Sequence, residues 1–156
     1  VIVRRALPKD VPTILRLIRE LATYEREPDA VKATVASLVD TLFGADVRVF
    51  AHVAELDGQV VGIAVWFINY STWTGQPGIY LEDLYVTEAA RGTGAGKALF
   101  RALAQEAVAK GYARIDWAVL DWNAPAMDFY RAIGGRQQTT WQPWRLDGPA
   151  LAALAQ

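Results

Sequence analysis

The 156-residue sequence contains no cysteine and a single histidine. The first absence excludes disulfides, thiolate zinc sites and a cysteine nucleophile. The lone His52 sits in a strand-like run with no second ligand at hand, which argues against a metal or triad role. No charge of either sign dominates, since 16 Lys and Arg against 17 Asp and Glu leave a formal net charge of −1. Nucleic acid is therefore disfavoured as the main partner, because binding many phosphates needs a basic excess. No apolar run approaches the ~20 residues of a membrane span. The opening VIVRRALPKD enters a strand-like pattern with no secretory leader. A cytoplasmic setting away from membranes is the expectation.

What is present describes a globular chain. Apolar residues make up 53% and charged residues 21%, so one domain over residues 1–156 with one sizeable core is expected. Residues 1–6 read as a strand. Asp10 and Pro12 open a helix whose core face is Ile14, Leu17, Ile18 and Leu21. VKATVASLVDTLF offers a second helix. VRVFAHVAEL and VVGIAVWFINY are β-rich runs joined by Asp57-Gly58-Gln59, a hairpin signal. STWTGQPG reads as a loop, and residues 79–86 as a further strand. Residues 94–111 form the longest predicted helix, ended by Gly111. Residues 113–120 read as a strand. Asn123 caps a helix with Pro125 in its first turn and Gly134 at its end. RQQTTW and PWRLDG are short strand candidates, and ALAALAQ a last helical turn or two. The order is that of a mixed α/β domain. The six Trp residues offer lining for a pocket or a dimer face, but core packing is the expected fate of most.

The stretch RGTGAGKALF concentrates three glycines in five residues ahead of the longest helix. It fails as a Walker A loop, since Arg91 stands where the first glycine belongs and Ala98 where Ser or Thr must bind magnesium. Its G-x-G-x-G spacing departs from the dinucleotide fingerprint. A Gly-rich surface turn is the plain alternative. The physics favours phosphate, because bare N–H groups and a positive helix N-terminus are flanked by Arg91 and Lys97. No metal is demanded.

In context, YLEDLYVTEAARGTGAGKALF is a strand, a turn, R-x-x-G-x-G and a long helix. This resembles the acetyl-CoA motif of the GCN5-related N-acetyltransferase (GNAT) superfamily. ILRLIRELATYE, YLEDLYV and AVLDWNAPAMDFY are similar to the spermidine/spermine and thialysine N-acetyltransferase family, over most of the chain. The resemblance implies the GNAT fold, a mostly antiparallel central sheet with splayed middle strands flanked by helices. It implies acetyl-CoA as co-substrate, held at its pyrophosphate by Arg91, Gly92, Thr93, Gly94, Ala95, Gly96 and Lys97. The pantetheine arm is then expected between EDLYV and IDWAVL, with contacts from Leu84, Tyr85 and Val86 on one side. Asn123, Ala124, Pro125 and Ala126 line the other side. A homodimer is implied as well.

Acetyl transfer to an amine needs a neutral nitrogen, a stabilised oxyanion and a proton for the departing thiolate. An alkylamine has a pKa of ~10.4, so about one molecule in a thousand is free base at neutral pH. A proton acceptor on the spot is required. Glu82 and Asp83 are adjacent on a strand and should point to opposite faces. The resemblance assigns the acceptor role to Glu82. It assigns the acid role to Tyr130, whose phenol suits a thiolate of similar basicity; as a bare pattern, Tyr130 also fits a core aromatic. Tyr24 and Glu25 match the family's substrate-contacting pair, and Glu27 and Asp29 keep that helix end acidic. One departure stands out. TWQPW, with Trp141 and Gln142, replaces an acidic segment of the family, which favours a compact amine over a long polycation. The expected activity is direct transfer to a small cationic amine in a ternary complex, consistent with the lack of Cys. A protein or peptide N-acetyltransferase and a non-catalytic acyl-CoA sensor are the alternatives.

Overall fold

Asp57 and Gly58 both adopt left-handed backbone, with φ of 51° and 76°. That is the geometry of the two-residue hairpin turn whose twist matches its flanking strands. It joins β2 (Val49–Leu56) to β3 (Gln59–Ser71), with Leu56 opposite Gln59. In this computed structural model, which describes residues 1–156, the hairpin is the centre of a five-stranded sheet. The sheet order is β1-β2-β3-β4-β5, from β1 (Ile2–Arg5) through β4 (Gln76–Val86) to β5 (Ile115–Asp116). Three pairings are antiparallel and the last is parallel. The mixed α/β architecture expected from the sequence is the one observed.

Two compact units divide the chain, Val1–Leu120 and Asp121–Gln156. The first holds the sheet. Alternation in β2 and β3 sorts their side chains onto two faces. Ala51, Val53, Ile63 and Val65 pack with Ile14 and Leu17 of α1 (Val11–Tyr24) and Leu42 of α2 (Val35–Phe43). The opposite face meets α3 (Ala95–Ala109). A Cβ added at Gly62 would lie 3.1 Å from the Tyr85 carbonyl oxygen and 3.3 Å from Leu99 Cδ1. Glycine is what lets α3 settle so near β3 and β4. On this face His52 is buried, and its Nδ1 accepts a 3.0 Å hydrogen bond from Trp66 Nε1.

Several local expectations need correction. Asp10 makes no side-chain cap to α1 and instead closes a 3₁₀ turn, Pro8–Asp10, where it accepts from Leu7 N at 2.7 Å. It is also bound by both terminal nitrogens of Arg4, at 2.7 and 3.1 Å. The start of α2 is set by Thr34, whose Oγ1 accepts from Ser37 N at 3.1 Å. Only half of STWTGQPG is loop, because β3 and β4 run on to a tight hairpin turn at residues 72–75. The strand expected at 113–120 shrinks to Ile115–Asp116, paired only with Ile79 and Tyr80. Trp66 is fully buried, but Trp73 is 84% and Trp144 94% exposed. Trp122 and Trp141 are exposed too, so core packing is not the fate of most tryptophans.

The second unit contains α4 (Ala124–Ala132) and α5 (Gly148–Leu154). RQQTTW and PWRLDG form no strand. Their Trp141, Trp144 and Leu146 side chains are exposed and have no sheet to join in this unit. No helix of the chain is long and apolar enough to cross a membrane.

Candidate active site

β4 carries the site along one free edge. Its parallel partner ends at the Tyr80–Asp116 pair, so residues 81–86 have no strand on that side. Their backbone groups on that edge are left for another extended chain. The strand then runs through a 3₁₀ turn, Glu88–Ala90, into the glycine loop.

That loop is built by two left-handed residues, Gly92 at φ 81° and Gly94 at φ 86°. A Cβ at either would meet nothing within 4 Å, so the space above the loop is open. Between them Thr93 turns inward, its Oγ1 donating to the Ala90 carbonyl at 2.6 Å. Gly94 is the N-cap of α3, and no side chain caps that first turn. The leading N–H groups, at and around Ala95, Gly96 and Lys97, are therefore available to an anion. A cradle of bare amides beside a free strand edge fits both the pyrophosphate and the extended arm of an acyl-CoA.

The register of β4 breaks at Glu82. Asp83 pairs with Val65 and Leu81 with Trp66, so Glu82 is the extra residue of a β-bulge. Strict alternation, assumed from the sequence, does not hold across a bulge. Glu82 is exposed and Asp83 half-buried. Burial pushes the Asp83 carboxyl up to about 6, and the charges of Glu82 and Glu25 push the same way. Glu25 follows the last residue of α1, is half-buried, and is raised by desolvation. Three carboxyls from two elements thus share one field, whereas Glu27 and Asp29 are simply exposed.

Tyr24, Tyr85 and Arg91 come together. They line a cavity of about 690 Å³, with Arg16, Arg19 and Glu20 of α1 on its wall. The Arg91 guanidinium lies 5.2 Å from the Tyr24 ring centre and 5.9 Å from that of Tyr85. Burial and then the Glu20 charge raise the Tyr85 phenol above its usual range, with Arg91 opposing. Leu84, Tyr85 and Val86 are half-buried along β4. Asp83 and the α1 arginines were not singled out from the sequence. The signals available were the adjacency in LEDL and the i, i+3, i+7 spacing of Arg16, Arg19 and Thr23 on one helical face.

In the second unit Asn123 is buried and caps α4, its Oδ1 accepting from Ala126 N at 3.4 Å. Pro125 lies in the first turn, as expected. Tyr130 is half-buried on α4, with its ring 5.7 Å from that of Phe129. His52 belongs to the core beneath α3, and no group of three or more His, Asp or Glu residues is arranged to hold a metal ion.

The model of the acetyltransferase (GNAT) family matches residues 13–134. A protein named thialysine N-epsilon-acetyltransferase from Bos taurus is 40% identical over 99% of this chain and 97% of its own. One named L-ornithine N5-acetyltransferase NATA1 from Arabidopsis thaliana is 31% identical over 97% of this chain and 86% of its own. Among solved structures, an integron cassette protein from V. cholerae superposes with a TM-score of 0.82 at 26% identity, covering 99% of this chain and 96% of that one.

Proposed function

The chain belongs to the acetyltransferase (GNAT) family, and on that footing we propose that it moves the acetyl group of acetyl-CoA directly to a primary amine of a small cationic acceptor. The acceptor class comprises thialysine- or lysine-like amino acids, diamines and polyamines. The observation that carries the reading is the unpaired edge of β4 running into the uncapped start of α3.

In this reading the glycine loop from Arg91 to Lys97 holds the pyrophosphate, and Leu84, Tyr85 and Val86 offer backbone bonds to the pantetheine arm. The residues from Asn123 to Ala126 supply its other contacts. When bound, the thioester supplies an activated acyl carbon. A β4 N–H donates to its carbonyl oxygen, where negative charge develops. Glu82 accepts the proton that the amine must shed as the new N–C bond forms. Tyr130 donates a proton to the sulfur as the C–S bond breaks, so charge is balanced on both sides. Glu25 and Asp83 draw the cationic acceptor in, and Tyr24 packs against it.

Support for a small amine comes from the names of the two relatives above, both amino-acid acetyltransferases. Free-thiol release with acetyl-CoA across thialysine, lysine, ornithine, diamines and polyamines tests the proposal. Turnover of at least one of them is expected. Thiol release only with a peptide acceptor would transfer the activity to protein substrates. Acetyl-CoA binding with no acceptor turned over would leave a sensor. A homodimer is part of the same proposal, and sedimentation at micromolar protein tests it.

A further inference from the structure

Arg91 opens the glycine loop. Its main chain is fixed there, with its N–H donating to the Glu88 carbonyl at 3.2 Å. The residue is exposed, and a solvated arginine samples many rotamers that it forfeits on gripping an anion. Arg91 is not in that state. Its guanidinium lies over two rings, Tyr24 of α1 and Tyr85 of β4.

Tyr85 is seated by the sheet. It stands opposite Ile63 in the β3–β4 ladder, and its ring packs against the core cluster to which Ile63 belongs. On α1, Arg16, Glu20 and Tyr24 are spaced four residues apart, which puts them on one helical stripe. All three line the same cavity as Tyr85 and Arg91. Glu20 is thus one turn from a ring that carries Arg91. Its Oε1 takes Arg16 at 2.7 Å. The Tyr85 phenol is raised by burial and next by the Glu20 charge, and Arg91 opposes both. A phenol between a carboxylate and a guanidinium can donate its proton to the first and turn its lone pairs to the second.

We propose that Tyr85 and Glu20 are positioning residues for the pyrophosphate anchor, with Glu20 fixing the Tyr85 hydroxyl and Tyr85 holding the Arg91 guanidinium ready at the glycine loop. This rests on the acetyl-transfer reading above. It adds a side-chain role for Tyr85 and a first role for Glu20.

The test is a double-mutant cycle read by calorimetric binding of acetyl-CoA. Tyr85→Phe keeps the ring and deletes the hydroxyl. Glu20→Gln keeps the shape and deletes the charge. Each is made in the wild-type background and in Arg91→Ala. Tyr85→Phe should weaken acetyl-CoA binding about three- to tenfold, and Glu20→Gln by less. Combined, they should weaken it no more than Tyr85→Phe alone, because Glu20 acts through the hydroxyl. In Arg91→Ala both losses should vanish. A residue that merely supports the fold would weaken binding equally with or without the Arg91 side chain, and that result overturns the proposal. Unchanged or tighter binding by Tyr85→Phe also overturns it, and additive losses overturn the assignment of Glu20. A rise in KM for the amine with acetyl-CoA binding unaltered overturns it as well, because the cavity would then serve the acceptor. Wild-type protein that binds no acetyl-CoA removes the acetyl-transfer reading and this proposal with it, whereas wild-type binding with insensitive variants strikes the proposal alone.

Discussion

The Arg91 guanidinium rests over the Tyr24 ring, 5.2 Å from its centre, so the first residue of the glycine loop leans on the end of α1. The contact ties the residue expected at the pyrophosphate to one expected at the acceptor. A cation over an aromatic face at a partly exposed site is worth about 0.5–1 kcal/mol. Tyr24→Leu should therefore raise KM for acetyl-CoA by about two- to fivefold, although Tyr24 is assigned no contact with the cofactor. Tyr24→Phe should raise it far less. Steady-state kinetics at saturating amine checks both.

Loss of the Tyr130 hydroxyl leaves its ring and its place on α4. Tyr130→Phe should lower kcat on the order of a hundredfold or more. Acetyl-CoA binding by calorimetry should stay near the wild-type value. Full activity of this variant would remove Tyr130 from the chemistry.

The carboxyl group around β4 gives two separable pH effects. Glu82→Gln should lose most activity at low pH, where the amine is hardest to deprotonate. Asp83 has its carboxyl raised to about 6 by burial and by Glu82 and Glu25. As pH falls through that value its charge disappears, so KM for a cationic acceptor should climb. Asp83→Asn should show a high KM that no longer changes over this range. Profiles of kcat/KM and KM between pH 5 and 8 distinguish the two.

His52 makes a stability prediction. Burial, then the charges of Arg5 and Lys110, lower its imidazole to about 4, with Glu106 opposing. The unfolded chain binds its proton near pH 6.5. Neutral His52 therefore contributes stability that is present above pH 6.5 and is lost as pH falls through about 4. Asp83 acts with the opposite sign, since its raised carboxyl favours the folded state on protonation. His52→Asn keeps an acceptor for the Trp66 N–H and does not titrate. The difference in Tm between wild type and this variant should move against the wild type on acidification from pH 6.5 to 4, read by calorimetric scans.

Local rules carried much of the fold. Asp57-Gly58 states its own turn because both residues tolerate left-handed backbone. Asn123 with Pro125 states a helix start, and Gly94 states the start of α3 by lacking a side chain. Features that depend on pairing were hidden. The bulge at Glu82 exists only as a register offset between two strands, and no residue type announces it. The strand expected at 113–120 stops at Asp116 because AVL at 118–120 has strand character that finds no partner there. Trp73, Trp141 and Trp144 are exposed against the core expectation for most tryptophans, because composition says how much apolar surface exists, not where the sheet ends. The residues around the end of α1 divide the same way. Tyr24 and Glu25 stand out by their match to the family's pair, whereas Arg19 looks like any solvated residue in the sequence and shows its place only at the cavity wall.

Gly62 has a reach beyond its own strand. The hydrogen in place of a side chain there leaves room for α3 to pack close, with Tyr85 O and Leu99 Cδ1 at 3.1 and 3.3 Å from any added methyl. A methyl would press on that carbonyl and on the Leu99 side chain, and each would have to give by a few tenths of an ångström. How closely the helix behind the amide cradle can seat itself on the sheet is thus limited by a residue that lies outside the cradle.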